Sequence, residues 1–212
     1  MDELIQGNCL EVMAGMEVES VDAIITDPPY GKNFLSAKQT SNSRGNTKSA
    51  KRSVNYFGRI VGDTVFDATF VSYVSKILKT GGAFYCFIDW KHWSMLEQAT
   101  RSAGLLIKNM IVLNKSNHGQ GDIKGCYAPK YDLVMFASKG RHILHWQKRL
   151  NDVLDVKVLY SGAIRHHPME KRMDWIEPFI LSSTVPGDLI FDPFAGSGSI
   201  GVAAKRLGRR FV

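Results

Sequence analysis

The chain has 212 residues, 44% of them hydrophobic, and carries a net charge of +7 from 27 basic and 20 acidic residues. That length suits one domain with an ample core, and no apolar run approaches the roughly 18 residues that a membrane span needs. The acidic start, Met1-Asp2-Glu3, lacks an apolar signal region. Cys9, Cys86 and Cys126 are odd in number and widely separated, which argues against a disulfide framework or a zinc site and for a reducing compartment. The basic balance points to a polyanionic partner.

In chain order, Leu4-Ile5-Gln6 reads as a short strand entering Gly7-Asn8, and Leu10 to Met16 as a helical turn. Asn8 suits a helix cap. Val21 to Thr26 is an apolar, β-branched run, the pattern of a strand buried on both faces of a parallel sheet. Asp27-Pro28-Pro29-Tyr30 then ends it. Neither proline can donate to a ladder and both fix φ near −65°, so the chain must turn out at the carboxyl end of the strand. In open α/β sheets that edge is where ligands bind. The turn gathers a carboxylate, carbonyls and an aromatic ring, a set suited to an exocyclic amino group of a nucleobase. Such nitrogens are weak nucleophiles because their lone pair is delocalised into the ring. Two acceptors, Asp27 and the Pro28 carbonyl, would pull the nitrogen toward tetrahedral geometry, and Tyr30 would stack an extruded base.

Residues 32–59 are rich in Ser, Asn and Lys, with little periodicity, and predict a long surface loop. Lys32, Lys38, Arg44, Lys48, Lys51, Arg52 and Arg59 supply seven cations, and no acid lies from Gly31 through Gly62. With Phe34, Tyr56 and Phe57 beside them, these residues suit phosphate contact and stacking, so DNA contact is the favoured reading. Phe66 to Lys79 has helical spacing and is expected to stop at Thr80-Gly81-Gly82. Ala83 to Asp89 reads as a strand, Trp90 to Ala103 as a helix, and Lys108 to Leu113 and Asp132 to Ala137 as further strands. Lys139 to Arg149 holds cations, histidines and Trp146 without an acid; it suits either a second DNA contact or a solvated face. Asp152 to Leu159 reads as a strand and Trp175 to Ser182 as a helix. His166-His167 invites a metal, but no Cys or carboxylate partner has ligand spacing, so no metal is expected. Asp188 to Phe191, the glycine turn Phe194-Ala195-Gly196-Ser197-Gly198, and Ile200 to Leu207 read as strand, turn and helix. The turn suits close approach to an adenosine-bearing ligand, with a spacing unlike that of a nicotinamide site.

Together, Asp27–Tyr30 and Asp192–Gly198 resemble the catalytic and cofactor motifs of amino-group DNA methyltransferases that use S-adenosylmethionine. Their order, catalytic motif first, is similar to the permuted β group. Asn8 to Met13, Asn117 to Asp122 with Tyr127-Ala128-Pro129, and His167 to Lys171 extend the resemblance over nearly the whole chain. It implies a three-layer Rossmann-like α/β fold whose mostly parallel, seven-stranded sheet carries one antiparallel strand. Residues 1–212 would form a single methyltransferase domain, with target recognition shared between 32–59 and 139–166. The implied activity is methyl transfer to adenine N6 in DNA on a flipped-out base. The alternatives are cytosine N4, or an inactive DNA-binding protein on the same fold. Asp27, Pro28, Pro29 and Tyr30 would be catalytic. Asn8, Cys9, Asp27, His167, Pro168, Lys171, Asp192, Phe194, Gly196, Ser197 and Gly198 would bind the cofactor. Lys48, Lys51, Arg52, Lys148 and Arg149 would contact DNA. Dimer-forming members make a homodimer an expectation, with no membrane or metal partner, in bacterial cytoplasm or a phage-infected host. The group also carries an acidic residue that binds the ribose hydroxyls at the end of the strand starting Arg209-Arg210-Phe211-Val212, so a natural continuation past Val212 is expected to tighten cofactor binding.

Overall fold

The computed structural model describes residues 3–30, 66–117, 124–145, 149–157 and 172–212. The chain divides into two compact units, Met1–Pro28 with Asp67–Val212, and Pro29–Phe66. In the first unit the elements run α1 (Cys9–Gly15), β1 (Val21–Thr26), α2 (Phe70–Ile77), β2 (Leu78–Ile88), α3 (Trp93–Ser102), β3 (Leu106–Lys115), β4 (Tyr131–Ser138), β5 (Val153–Val156), α4 (Met173–Ser183), β6 (Leu189–Phe191), α5 (Ser199–Arg206) and β7 (Arg210–Phe211). Of the second unit, Pro29, Tyr30 and Phe66 are described.

The strands form one seven-stranded sheet in the order β5-β3-β4-β2-β1-β6-β7. β4 runs antiparallel to both its neighbours, β2 and β3, and every other pairing is parallel. This is the expected α/β sheet with one antiparallel strand. β1 sits near its middle, with every side chain buried except Asp22, as a strand covered on both faces must be. Alternation along β2 sends Ala83, Tyr85 and Phe87 into the core shared with Trp175, Ile176 and Phe179 of α4 and with Ala203 and Ala204 of α5. Phe84 points to the other face, where its ring meets Phe70 of α2 edge-on. Helices on both faces of the sheet make three layers.

The α4 face is organised by aromatic stacking and a buried hydroxyl chain. Tyr85 stacks on Phe136 at 4.6 Å and on Phe179 at 4.8 Å. Its hydroxyl lies 2.7 Å from Ser183 Oγ, which in turn lies 3.0 Å from His142 Nε2, while His142 Nδ1 donates to the Gly81 carbonyl at 2.6 Å. Burial pushes the His142 pKa down, which favours the neutral ring in this half-buried position. The described part of the basic stretch, 139–145, is neither helix nor strand. His142 and the bond from the His145 N–H to the Ser182 carbonyl anchor it to α4.

Two sequence expectations fail here. Thr80-Gly81-Gly82 does not stop a helix: α2 ends at Ile77, and the glycines lie inside β2. Leu78 already pairs with Val21, and the register then shifts before Ala23 pairs with Ala83. The glycines serve that bulge. A Cβ on Gly82 would lie 2.9 Å from the Asp22 carbonyl oxygen. Leu4-Ile5-Gln6 is not a strand either. The segment is tied to β7 by the bond from the Glu3 N–H to the Phe211 carbonyl at 3.0 Å, and one rung is too few for a ladder.

Candidate active site at two adjacent strand ends

β1 and β6 are hydrogen-bonded parallel neighbours, pairing Ala23 with Ile190 and Ile24 with Phe191. Each runs directly into an Asp-Pro step: Asp27-Pro28 after β1, and Asp192-Pro193 after β6. The two motifs, far apart in sequence, therefore meet at the carboxyl edge of the sheet. Asp27 is half-buried and Pro28 buried. Asp192 is only 6% exposed.

Asp192 is held from two sides. Thr26 Oγ1 donates to its Oδ1 at 2.7 Å, and the Phe194 N–H donates to the same oxygen at 3.0 Å. Its own N–H donates to the Val212 carbonyl. Burial raises its pKa from 3.8 to about 7; the Thr26 and Phe194 bonds pull it down, and the nearby Asp27 charge pushes it up. Cys86, opposite Thr26 on β2, is fully buried. Its thiol is pushed well above its ordinary value by burial first and then by Asp27 and Asp192. It stays a thiol and is no nucleophile. The edge thus concentrates two carboxylates in a poorly solvated place, an arrangement that favours a cationic ligand.

The glycine turn provides the second part of the site. The Gly198 N–H donates to the Ala195 carbonyl at 2.7 Å, closing the loop just before α5. Gly196 has φ of 52° and Gly198 φ of 75°, conformations in which a branched side chain is strained. A Cβ on Gly198 would meet no protein atom within 4 Å, so the backbone here is open to close approach by a ligand. Phe194 packs edge-on against Phe70 at 5.2 Å, which fixes the loop to α2. Ser197 Oγ lies 3.3 Å from Ser199 Oγ. An adenosine-bearing sulfonium fits this set: a glycine cradle for its backbone contacts and carboxylates for its positive charge.

Asn8 caps α1, its Oδ1 accepting the Leu10 N–H at 3.0 Å, and Cys9 begins the helix half-buried, its thiol pKa raised by burial. Tyr30 belongs to the second unit, its ring 6.4 Å from that of Phe66. Arg149 lines a cavity of about 600 Å3 with Tyr85, Phe136, Phe179 and Asp152. Among the described residues, that cavity shares no lining residue with the ends of β1 and β6. Lys48, Lys51, Arg52, Lys148, His167, Pro168 and Lys171 lie outside the described residues. Thr26 escaped the sequence reading. Its signal was a hydroxyl inside a fully buried strand, which must find an acceptor. Among the described residues no cluster of His, Cys, Asp or Glu is placed to hold a metal, and no helix is long and apolar enough to cross a membrane.

A DNA methylase family model matches residues 21–212. Methylase YubD of Escherichia coli (strain K12) is 32% identical over 212 residues, covering 100% of this chain and 83% of that protein. Type II methyltransferase M2.DpnII of Streptococcus pneumoniae is 30% identical over 224 residues, covering 99% of this chain and 82% of its own. Among solved structures, the M1.HpyAVI–SAM complex superposes with a TM-score of 0.69 at 22% identity, covering 100% of this chain and 91% of the other. The cytosine-N4-specific PvuII DNA methyltransferase superposes at 0.70 with 19% identity, covering 97% and 78%; these two likenesses concern the fold. With both motifs meeting at one sheet edge and the family model spanning nearly the whole chain, the protein belongs to the N6/N4 DNA methylase family and is an S-adenosylmethionine-dependent DNA methyltransferase.

Proposed function

We propose that the chain methylates adenine N6 in DNA, on a base turned out of the duplex, as a single catalytic domain. The observation that carries this reading is the side-by-side ending of β1 and β6, which brings Thr26-Asp27 to Asp192 across 166 residues of sequence. S-adenosylmethionine would supply an electrophilic methyl group on a sulfonium, whose S–CH3 bond breaks as the neutral thioether leaves with its electron pair. Asp27 and the Pro28 carbonyl accept the two amino hydrogens of the base, so the nitrogen lone pair is localised and aimed. The proton shed as the new N–C bond forms leaves along the bond already made to the Asp27 carboxylate. Tyr30 stacks the extruded ring, a contact worth about 1–3 kcal/mol. Asn8, Cys9, Asp192, Phe194, Gly196, Ser197 and Gly198 hold the cofactor, with His167, Pro168 and Lys171 over its methionine end. The rest of the work is positioning and preorganised electrostatics, with no covalent enzyme intermediate.

The Asp-Pro-Pro-Tyr form of the turn supports adenine over cytosine N4, which uses the same amino-group logic. Lys48, Lys51, Arg52, Lys148 and Arg149 contact DNA phosphates in this reading. Changing Lys48, Lys51 and Arg52 to Gln should then flatten the salt dependence of DNA binding by up to about 3 units of log–log slope. The relatives are bacterial, which supports a cytoplasmic role in restriction–modification, in a bacterium or a phage-infected host, and the resemblance to dimer-forming members supports a homodimer. The test is to incubate the protein with labelled S-adenosylmethionine and DNA, digest the DNA and identify the labelled nucleoside. N6-methyladenine is expected. N4-methylcytosine would move the target, and unlabelled DNA would mean an inactive binding protein.

A further inference from the structure

The ladder between β1 and β6 stops at Ile24 and Phe191, before either motif begins. At the opposite, amino end the pair is fastened by Asp22, whose Oδ2 accepts the Leu189 N–H at 2.8 Å while its Oδ1 accepts from Lys79. At the carboxyl end, among the described residues, a side-chain bond joins the pair, from Thr26 Oγ1 to Asp192 Oδ1 at 2.7 Å, between two buried residues. That same oxygen receives the Phe194 N–H. The carboxylate therefore shapes the first turn of the glycine loop, and the hydroxyl holds the carboxylate. Thr26 is also the residue before Asp27, so one side chain couples the starts of both motifs.

We propose that Thr26 is a positioning residue whose hydroxyl bond to Asp192 fixes the turn starting at Asp27 against the loop running to Gly198. It thereby sets the distance between the amino group held at one strand end and the cofactor held at the other. The inference rests on the reading of these strand ends as one active site. A buried hydroxyl donating to a carboxylate also favours the charged form, so Thr26 helps to keep Asp192 ionised. The groups bearing on that ionisation are Asp27 from β1 and the Cys86 thiol from β2. Val212, just past β7, contributes its carbonyl, the loop contributes the Phe194 N–H, and the α5 cations Lys205 and Arg206 stand at the far end of their helix.

The test compares wild type, Thr26→Val, which keeps the shape and loses the hydroxyl, and Thr26→Ser, which keeps the hydroxyl. Turnover is measured at saturating DNA and cofactor, cofactor affinity by calorimetry, and the Asp192 titration by carboxyl carbon NMR in the protein without cofactor. Thr26→Val should lower kcat about tenfold while cofactor affinity falls less than about threefold, because misplacement of the reacting groups acts on the transfer step. The Asp192 titration should move to higher pH, and the acid limb of kcat/KM with it. Thr26→Ser should restore both. A purely packing role would give the reverse order, with Val active and Ser impaired. Wild-type turnover and an unshifted titration in Thr26→Val would overturn the proposal, as would a Ser variant as poor as Val. Thr26→Ala carries the same prediction should the valine variant not fold. If the wild type transfers no methyl group to DNA, the functional reading fails, while the NMR titration still decides whether the hydroxyl holds Asp192.

Discussion

Two strands of this protein end in the same dipeptide, and the two aspartates live in different surroundings. Asp192 is 6% exposed, takes two hydrogen bonds on one oxygen and titrates near 7. Asp27, one strand away, is half-buried, and a second proline stands directly after its Asp-Pro step, where Phe194 follows the other. The Asp-Pro step is a way of leaving a parallel sheet, because the proline closes the ladder. The residues immediately beyond that step decide the chemistry. After β6 the chain folds back through positive-φ glycines into α5, so the carboxylate is enclosed and serves the loop. After β1 it goes to Pro29 and Tyr30, and Asp27 keeps more exposure than Asp192. The same residue type can thus be an internal strut at one strand end and, in the proposed function, a working acceptor at the other.

The largest effect expected from this division is on Asp27. Asp27→Ala should lower turnover by about 10²–10³, the usual cost of losing a preorganised acceptor, with DNA binding nearly intact by gel shift. Near wild-type turnover would erase the distinction between the two carboxylates. Next, Gly198→Val should weaken cofactor affinity by about 10- to 100-fold, since a β-branched residue at φ of 75° is strained and its branch enters the open side of the loop. Unchanged calorimetric affinity in a folded variant would move the cofactor elsewhere.

Asp192→Asn sharpens the comparison through stability. The folded state raises this pKa from 3.8 to about 7, so between those values the native chain binds more protons than the unfolded one. Its stability therefore falls as pH rises through that window. The amide keeps an acceptor for Thr26 and Phe194 but carries no charge. Above pH 7 the variant should be more stable than wild type by on the order of 3 kcal/mol, with the gap closing toward pH 4; thermal melts across pH would show it. A pH-independent difference would mean that the carboxylate is not held against its charge. The smallest effect belongs to Tyr30. Tyr30→Ala should cost about tenfold in duplex methylation, while Tyr30→Phe stays within about twofold, because any flat ring can stack a base. Equal damage from both would make the hydroxyl, not the ring, the working part.

Much of this was legible in the sequence because the signals were local. Val21 to Thr26 and Asp188 to Phe191 are largely apolar runs, the pattern of buried strands, and the prolines and glycines after them mark where each strand ends. The order of the two motifs and their shared edge reflect the parallel pairing that such strands require. What escaped depends on partners distant in sequence. Gly81 and Gly82 look like a helix stop until Leu78 is seen to pair with Val21, which turns them into a bulge. His142 falls in a stretch that suits a DNA contact or a solvated face until Ser183 and the Gly81 carbonyl are found around it. Thr26 reads as one more β-branched residue, and only the adjacency of β6 reveals its acceptor. The basic residues that dominate the net charge, from Lys32 to Arg59, lie outside the described residues.

The proposed function divides the labour between the two strand ends, with Asp27 acting on the transfer step and Asp192 on the cofactor. The most direct test is a single-turnover measurement with prebound DNA, titrated with S-adenosylmethionine, on Asp27→Ala and Asp192→Asn side by side. The limiting rate should collapse in Asp27→Ala, with cofactor affinity changed by less than about tenfold. In Asp192→Asn the affinity should fall about tenfold while the limiting rate at saturation stays within a few-fold of wild type. Loss of rate in Asp192→Asn with affinity kept, alongside loss of affinity alone in Asp27→Ala, would contradict it.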